Sequence, residues 1–292
     1  MISITRILCP VDQSPVSLRA LEYAVQLARW YEARLRVIEV AALVLPPVGV
    51  APADASPFAF TVQARRAMAD ELRAFVKPVD AAGVDVAFEI EQGDVVPCIL
   101  RAAREWPADL IVMGTHGRGG FERFAVGSVA EKVLRKAPCP VATVPPHMAE
   151  RPAGHSRTIL CAVDFSPSSV RAAEFALSLA QESDARLLLL HVLEWPDGWE
   201  RTLPELRRER EAEARRLMAG LLPEEAAEWC RPDPIVAAGK ASQEILRLAR
   251  EHAADLIVLG VHGRTAVDLA LFGSTAHAVL RESECPVLTV RS

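Results

Sequence analysis

The chain contains 292 residues, of which 51% are apolar and 24% are charged, and its formal net charge is −5. This length accommodates two ordinary domains, and the acidic balance argues against nucleic acid or an anionic membrane as a partner. No apolar run is long enough to cross a bilayer, and the first residues lack the pattern of a signal peptide, so we expect a cytoplasmic protein.

The predicted elements of the first half alternate between strands and helices. An apolar strand at Ile4–Cys9 is followed by Ser14 and Pro15, an N-cap and a first-turn proline that predict a helix start. The helix then carries an apolar stripe at helical spacing, formed by Leu18, Leu21, Val25 and Ala28. The remaining predicted elements are strands at 34–40, 84–90 and 109–114, helices near 60–82 and 94–105, and a last helix and strand.

The second half repeats the first. Residues 7–14 read ILCPVDQS and residues 159–166 read ILCAVDFS, an offset of 159 − 7 = 152. DLIVMG at 109–114 returns as DLIVLG at 255–260, and CPVATV at 139–144 returns as CPVLTV at 285–290, so these offsets are 146. We therefore predict a domain at 1–146, a Pro-rich linker at 147–157 and a second domain at 158–292.

The alternation of strands and helices predicts an α/β fold: two tandem, doubly wound, Rossmann-like parallel sheets with helices on both faces. The third strand of the second copy, near 233–238, is only weakly predicted because Pro232 and Pro234 interrupt it. Ligands of such open sheets bind at the carboxyl ends of the strands. The functional loops should therefore follow the first and fourth strands of each copy.

The loops after the fourth strands share one glycine pattern. Residues 114–128 read GTHGRGGFERFAVGS and residues 260–274 read GVHGRTAVDLALFGS. Glycines at the loop start permit tight turning and close approach of a ligand, namely Gly114, Gly117, Gly260 and Gly263. Helix starts favour phosphate through free N–H groups and the helix dipole, and we expect them at Gly127–Ser128 and Gly273–Ser274. The alternative is a loop that merely turns the chain, copied from an inert ancestor.

Polar side chains at the same edge are candidate ligand contacts. Asp12 and Asp164 follow the first strands, where a carboxylate can accept hydrogen bonds from a ribose or a base; the alternative is a turn aspartate near a helix N-terminus. The glycine loops add imidazole and guanidinium groups that can contact phosphates, which are His116, Arg118, His262 and Arg264. We treat these as binding candidates and assign no catalytic residue.

Several kinds of chemical machinery are missing from the sequence. It contains no GxxxxGK[ST] phosphate loop and no GxGxxG after a first strand. The six cysteines show no metal-ligand spacing, and we interpret Cys9 and Cys161 as buried thiols. Two phosphate loops without visible catalytic equipment favour a regulatory protein whose conformation or assembly responds to a bound nucleotide. Two alternatives stay open: a slow ATPase or nucleotidyl-transferring enzyme, and an interaction scaffold that binds no nucleotide.

Taken together, the repeated first-strand aspartate and the Gly-x2-Gly-x9-Gly-Ser loop resemble the universal stress protein family, over nearly the whole chain as two family domains. The resemblance implies five parallel strands in the order 3-2-1-4-5 and ATP as ligand, with or without Mg²⁺. In the first copy it implies nucleotide contacts at Pro10, Val11, Asp12, Val40, Met113, Gly114, His116, Gly117, Gly127, Ser128 and Val129. In the second copy the matching positions are Val163, Asp164, Val192, Leu259, Gly260, His262, Gly263, Gly273, Ser274 and Thr275. The second copy departs at Ala162, which replaces Pro10.

The last strands, VATV and VLTV, are apolar and lack capping charges, so each invites a partner strand. Domains of the family pair in this way. We therefore expect an intrachain pseudo-dimer of the two copies, and two chains pairing as a homodimer. The Pro- and Ala-rich stretch at 41–60 is interpreted as a lid over the first site, a docking surface or a plain surface loop.

Overall fold

The computed structural model describes residues 2–41, 62–79, 81, 83–116, 126–148, 157–195, 204–221, 232–261 and 273–291. Within them the strands are β1 (Arg6–Val11), β2 (Arg34–Ala41), β3 (Val86–Gln92), β4 (Leu110–Gly114), β5 (Val141–Val144), β6 (Thr158–Ala162), β7 (Arg186–Leu193), β8 (Asp233–Ala238), β9 (Leu256–Gly260) and β10 (Val287–Val290). The helices are α1 (Pro15–Trp30), α2 (Val62–Val76), α3 (Val95–Glu105), α4 (Ser128–Lys136), α5 (Pro167–Ser183), α6 (Pro204–Ala219), α7 (Ala241–Glu251) and α8 (Ser274–Glu282).

The chain divides into two compact units, of which one contains most of Ile4–Cys139 and the other contains Pro140–Ser292. In the first unit four parallel strands run in the order β3-β2-β1-β4. Helix α1 packs on β1 and β4, and α3 packs on β2 and α4. The sheet is buried along its centre, where Ile7, Leu8, Val37, Ile38, Ile111 and Val112 are fully enclosed. These are the apolar runs from which the strands were predicted.

In the second unit the parallel order is β8-β7-β6-β9-β10, which is the predicted order 3-2-1-4-5. This unit also contains β5, the last strand of the first repeat, which pairs antiparallel with β10. The Thr143 hydroxyl donates to the carbonyl of Val287 at 3.2 Å, and the Thr289 hydroxyl donates to that of Val141 at 3.1 Å. The expected pairing of the two last strands is thus observed.

The helix start predicted at Ser14 and Pro15 is confirmed, and Ser166 and Pro167 form the equivalent start in the second repeat. The Ser14 hydroxyl accepts a hydrogen bond from the amide of Ser17 at 3.2 Å, and the Ser166 hydroxyl accepts one from the amide of Ser169 at 3.3 Å. The weakly predicted third strand of the second copy forms as β8, with Pro234 opposite Leu189. A proline is tolerated there because β8 is the last strand in the order, so its outer edge needs no donor.

The thiols of Cys9 and Cys161 lie inside the central strands and are completely buried. Burial raises the pKa of both well above the usual range, so they stay protonated. Among the described helices, none combines the length and apolarity needed to span a bilayer.

Candidate functional site

The turns and loops singled out in the sequence follow strands that end at the same edge of each sheet. In the first unit Ile7 pairs with Leu110, and β1 and β4 run parallel. In the second unit β6 and β9 pair up to Ala162 and Leu259. Parallel neighbours bring their carboxyl ends together, so each aspartate-bearing turn lies beside the start of a glycine loop.

Each aspartate builds the turn that it occupies. One oxygen of Asp12 accepts a hydrogen bond from the amide of Ser14 at 3.1 Å, and one oxygen of Asp164 accepts bonds from the amide of Ser166 at 3.0 Å and from its hydroxyl at 2.6 Å. Both aspartates therefore have a structural role in their turns. A carboxylate has about four lone-pair positions, so a role in the turn is compatible with a hydrogen bond from a ligand hydroxyl.

The residue after each aspartate adopts a left-handed backbone conformation. Gln13 has a φ of 61° and Phe165 has a φ of 63°. Non-glycine residues are uncommon in this region, and the two repeats place it at equivalent positions. The turn therefore has one geometry in both copies, although the residue that forms it differs.

The first glycines of the two loops are required by helix packing. A Cβ on Gly114 would lie 2.9 Å from Cγ1 of Val16 in α1, and a Cβ on Gly260 would lie 2.5 Å from Oγ of Ser168 in α5. The neighbouring helix therefore lies against both glycines, and the close approach of a ligand at these positions stays a prediction. Neither glycine has a positive φ.

The last glycines close the loops. The amide of Gly127 donates to the carbonyl of Thr115 at 2.7 Å, and the amide of Gly273 donates to that of Val261 at 3.1 Å. An added Cβ would lie 2.8 Å and 3.0 Å from those same carbonyl oxygens. These bonds hold the two ends of each glycine loop together, at the point where a helix begins.

Helices α4 and α8 begin where the sequence predicted, at Ser128 and Ser274. Their N-caps are Gly127 and Gly273, which have no side chain to bond the first-turn amides. Such amides have no acceptor within the helix and carry the positive end of its dipole. The exposed serine at the start of each helix adds a hydroxyl. This combination suits an anionic group such as phosphate.

His116 offers a further donor or acceptor at the first loop. Its Nδ1 lies 3.0 Å from the Thr115 hydroxyl. Its Nε2 is buried and has no hydrogen-bond partner among the residues that the structure describes. Buried polar atoms are normally paired, so this nitrogen is available to a ligand.

The apolar positions implied by the family resemblance lie on the strands that lead to this edge or, for Val163, directly after one of them. Five of them are buried, namely Pro10, Val11, Met113, Val163 and Leu259, whereas Val40 and Val192 are partly exposed. Val129 and Thr275 lie in the first turns of α4 and α8 and are partly exposed. The predicted contacts at Gly117, Arg118, His262, Gly263 and Arg264 lie outside the described residues, as does the stretch 42–61.

Sequence reasoning missed one pair of residues in each repeat. The Gln13 side-chain amide donates to both carboxylate oxygens of the buried Glu39, at 2.8 and 2.9 Å. At the equivalent positions of the second repeat, the rings of Phe165 and His191 contact each other with centroids 4.7 Å apart. Both pairs connect the turn after the first strand to the end of the second strand. Aligning the repeats would have flagged the exchange of both residues.

The universal stress protein family model matches residues 3–145 and again residues 155–291. A universal stress protein of Mycobacterium tuberculosis is 27% identical over 312 aligned residues, which cover 96% of this chain and 93% of the relative. One from Methanocaldococcus jannaschii is 37% identical over 139 residues, which cover 48% of this chain and 81% of the relative.

A solved structure of a universal stress protein from Archaeoglobus fulgidus has a TM-score of 0.67 and 24% sequence identity, covering 98% of both chains. At this identity the likeness concerns the fold. It extends over both repeats.

Proposed function

The chain belongs to the universal stress protein family, and from that premise we propose that each repeat binds an adenine nucleotide, with ATP as the expected ligand. The site is the carboxyl edge of the sheet, between the aspartate-bearing turn and the closed glycine loop. The nucleotide acts as a signal: its binding biases the conformation or assembly of the protein, which partners read during a stress response in the cytoplasm. A homodimer is the expected assembly.

The observation that carries this proposal is the same set of features at both sites. Each repeat places an aspartate turn, a loop closed by a glycine amide, and a helix start with a glycine N-cap at one edge. Because loop closure requires glycine at positions 127 and 273, the first-turn amides of both helices receive no hydrogen bond from an N-cap side chain. A bound phosphate satisfies those amides.

Different residues contact different parts of the nucleotide. Asp12 and Asp164 accept hydrogen bonds from the ribose or the base, and Val40 and Val192 lie beneath the base. The first-turn amides of α4 and α8, with Ser128 and Ser274, hold phosphate, and His116 contributes Nε2, which has no hydrogen-bond partner within the described part of the chain. Mg²⁺, when present, binds through the phosphates of the nucleotide.

The test replaces one carboxylate at a time with its amide. Asp12→Asn and Asp164→Asn keep an oxygen to accept the turn hydrogen bond, but they replace the second acceptor with a donor. Each should weaken ATP binding at its own repeat about tenfold, as expected for losing a hydrogen bond to a charged group. Asp70→Asn is the matched control, because Asp70 is exposed on α2 and pairs with Arg73.

Equilibrium dialysis with radiolabelled ATP measures the affinity and the number of bound nucleotides. If Asp12→Asn and Asp164→Asn bound ATP as Asp70→Asn does, the proposed site would be wrong. Steady phosphate release that disappeared when both substitutions were combined would instead favour the slow ATPase.

A further inference from the structure

The two repeats hold their aspartate turns with different side-chain pairs. In the first repeat the Gln13 amide donates to both oxygens of Glu39, which is only 5% exposed. Glu39 lies on β2 opposite Val11, the residue that precedes Asp12. The pair therefore connects the turn that carries Asp12 to the neighbouring strand.

In the second repeat the connection is aromatic. The Phe165 ring contacts the His191 ring at 4.7 Å with a 37° tilt between their planes. Nδ1 of His191 lies 2.7 Å from the carbonyl of Val163, and since a carbonyl can only accept, Nδ1 carries the proton. His191 thus contacts the residues directly before and after Asp164, namely Val163 and Phe165.

We propose that Glu39 and His191 are positioning residues for the two nucleotide sites. Glu39 acts on Asp12 through Gln13, and His191 acts on Asp164 through Phe165. One pair can replace the other only when both of its residues are exchanged together. This inference rests on the proposed function. The left-handed conformation at Gln13 and Phe165 supports this role, because that conformation is strained for side chains other than glycine and each pair fixes the side chain of the strained residue.

The chemistry of the two pairs explains why they do not mix. Phenylalanine facing Glu39 would remove two amide hydrogen bonds from a buried carboxylate, which is costly. An imidazole facing Gln13 would lose the aromatic contact that Phe165 supplies to His191. Exchanging both residues together rebuilds a matched pair. The sites are therefore fixed by independent devices, and a change in one pair affects one site.

The experiment is a double-mutant cycle on the full-length protein, read separately for each repeat. The variants are Gln13→Phe, Glu39→His and the double exchange, and the probe is 8-azido-ATP, with crosslinked peptides assigned to a repeat by mass spectrometry. Competition by ATP, AMP and adenosine gives the affinity at each repeat.

Each single variant should lower the affinity of the first repeat for the competing nucleotide about tenfold, as expected for losing hydrogen bonds to a buried charged group. The affinity of the second repeat should stay unchanged. The double exchange should restore affinity to within about threefold of the parent, because matched neighbours couple non-additively. The loss should be equal for ATP, AMP and adenosine, because the pair acts on the turn at the nucleoside end. A general structural defect would lower both repeats together.

Additive losses in the double exchange, or single variants that bind like the parent, would overturn the inference. The reciprocal exchange, Phe165→Gln with His191→Glu, provides the same cycle in the second repeat if a first-repeat variant fails to fold. Absence of crosslinking to either repeat in the parent protein would refute the proposed function. Amide hydrogen exchange at residues 12–14 of the nucleotide-free variants then decides the positioning role, which predicts faster exchange in both single variants and recovery in the double exchange.

Discussion

Alanine at Gly260 should destabilise the protein more than alanine at Gly114, although the two glycines are equivalent in the repeat. The new Cβ at position 260 would lie 2.8 Å from both the carbonyl carbon of Ser168 and the amide nitrogen of Ser169, so helix α5 itself must move. At position 114 the nearest atom is Cγ1 of Val16 at 2.9 Å, while the nearest helix backbone atom is 3.4 Å away. A side-chain methyl can move more easily than a helix backbone.

The magnitudes follow from the cost of overpacking, which is typically about 1–3 kcal/mol. We expect Gly260→Ala to lower the free energy of unfolding by about 3 kcal/mol and Gly114→Ala to lower it by about 1 kcal/mol. At roughly 2–4 °C per kcal/mol for a protein of similar size, the melting temperatures should fall by roughly 6–12 °C and 2–4 °C respectively.

A second substitution separates the two mechanisms. Val16→Ala removes the nearest obstructing methyl group and leaves only backbone contacts at 3.3 Å or more, so Gly114→Ala should cost less in that background. Ser168→Ala removes only the hydroxyl, and the backbone atoms remain, so it should not rescue Gly260→Ala. Urea unfolding followed by circular dichroism measures how much each glycine substitution lowers the free energy of unfolding, both in the parent protein and in the Val16→Ala or Ser168→Ala background. Equal costs at the two glycines, or full rescue by Ser168→Ala, would refute the assignment of these glycines to helix packing.

Two further predictions concern the helix caps and the thiols. Replacing Ser14 or Ser166 with alanine should each cost about 1 kcal/mol of unfolding free energy in urea, because a first-turn amide loses its acceptor; an unchanged urea midpoint would contradict the capping role. Burial raises the pKa of Cys139 to about 12 and those of Cys9 and Cys161 further. A thiol whose pKa is raised on folding stabilises the protein fully below its unfolded pKa, so stability should fall as pH rises from about 9 towards 12, by up to about 1.4 kcal/mol per thiol per pH unit. Cys139→Ala should reduce that slope in urea titrations at pH 8–11, and an unchanged slope would contradict it.

The sequence predicted the strands and helix starts because their signals are local. Buried parallel strands form continuous apolar runs, and Ser14–Pro15 is a strong helix start. The strand β8 was harder, because Pro234 weakens the local signal and only its place at the sheet edge makes the proline acceptable. Grouping of β5 with the second unit depends on the packing of the whole chain, which a local pattern does not encode.

The candidate site was predicted in outline and missed in detail. The spacing of glycines located both loops, but the steric reason for Gly114 appears only once α1 is in place. The Gln13–Glu39 pair could not be derived from either residue, because it depends on the register between β1 and β2 and on a left-handed residue that is not glycine. The predicted nucleotide contacts themselves remain predictions.

The central claim is that this protein binds one adenine nucleotide in each repeat. Titration calorimetry with ATP, on nucleotide-stripped protein with and without Mg²⁺, tests it most directly. We predict micromolar binding with two nucleotides per chain, falling to one in either Asp12→Asn or Asp164→Asn at concentrations that separate the weakened site. No heat of binding at millimolar ATP, with the fold intact by circular dichroism, would contradict the account and leave a tandem scaffold without a nucleotide.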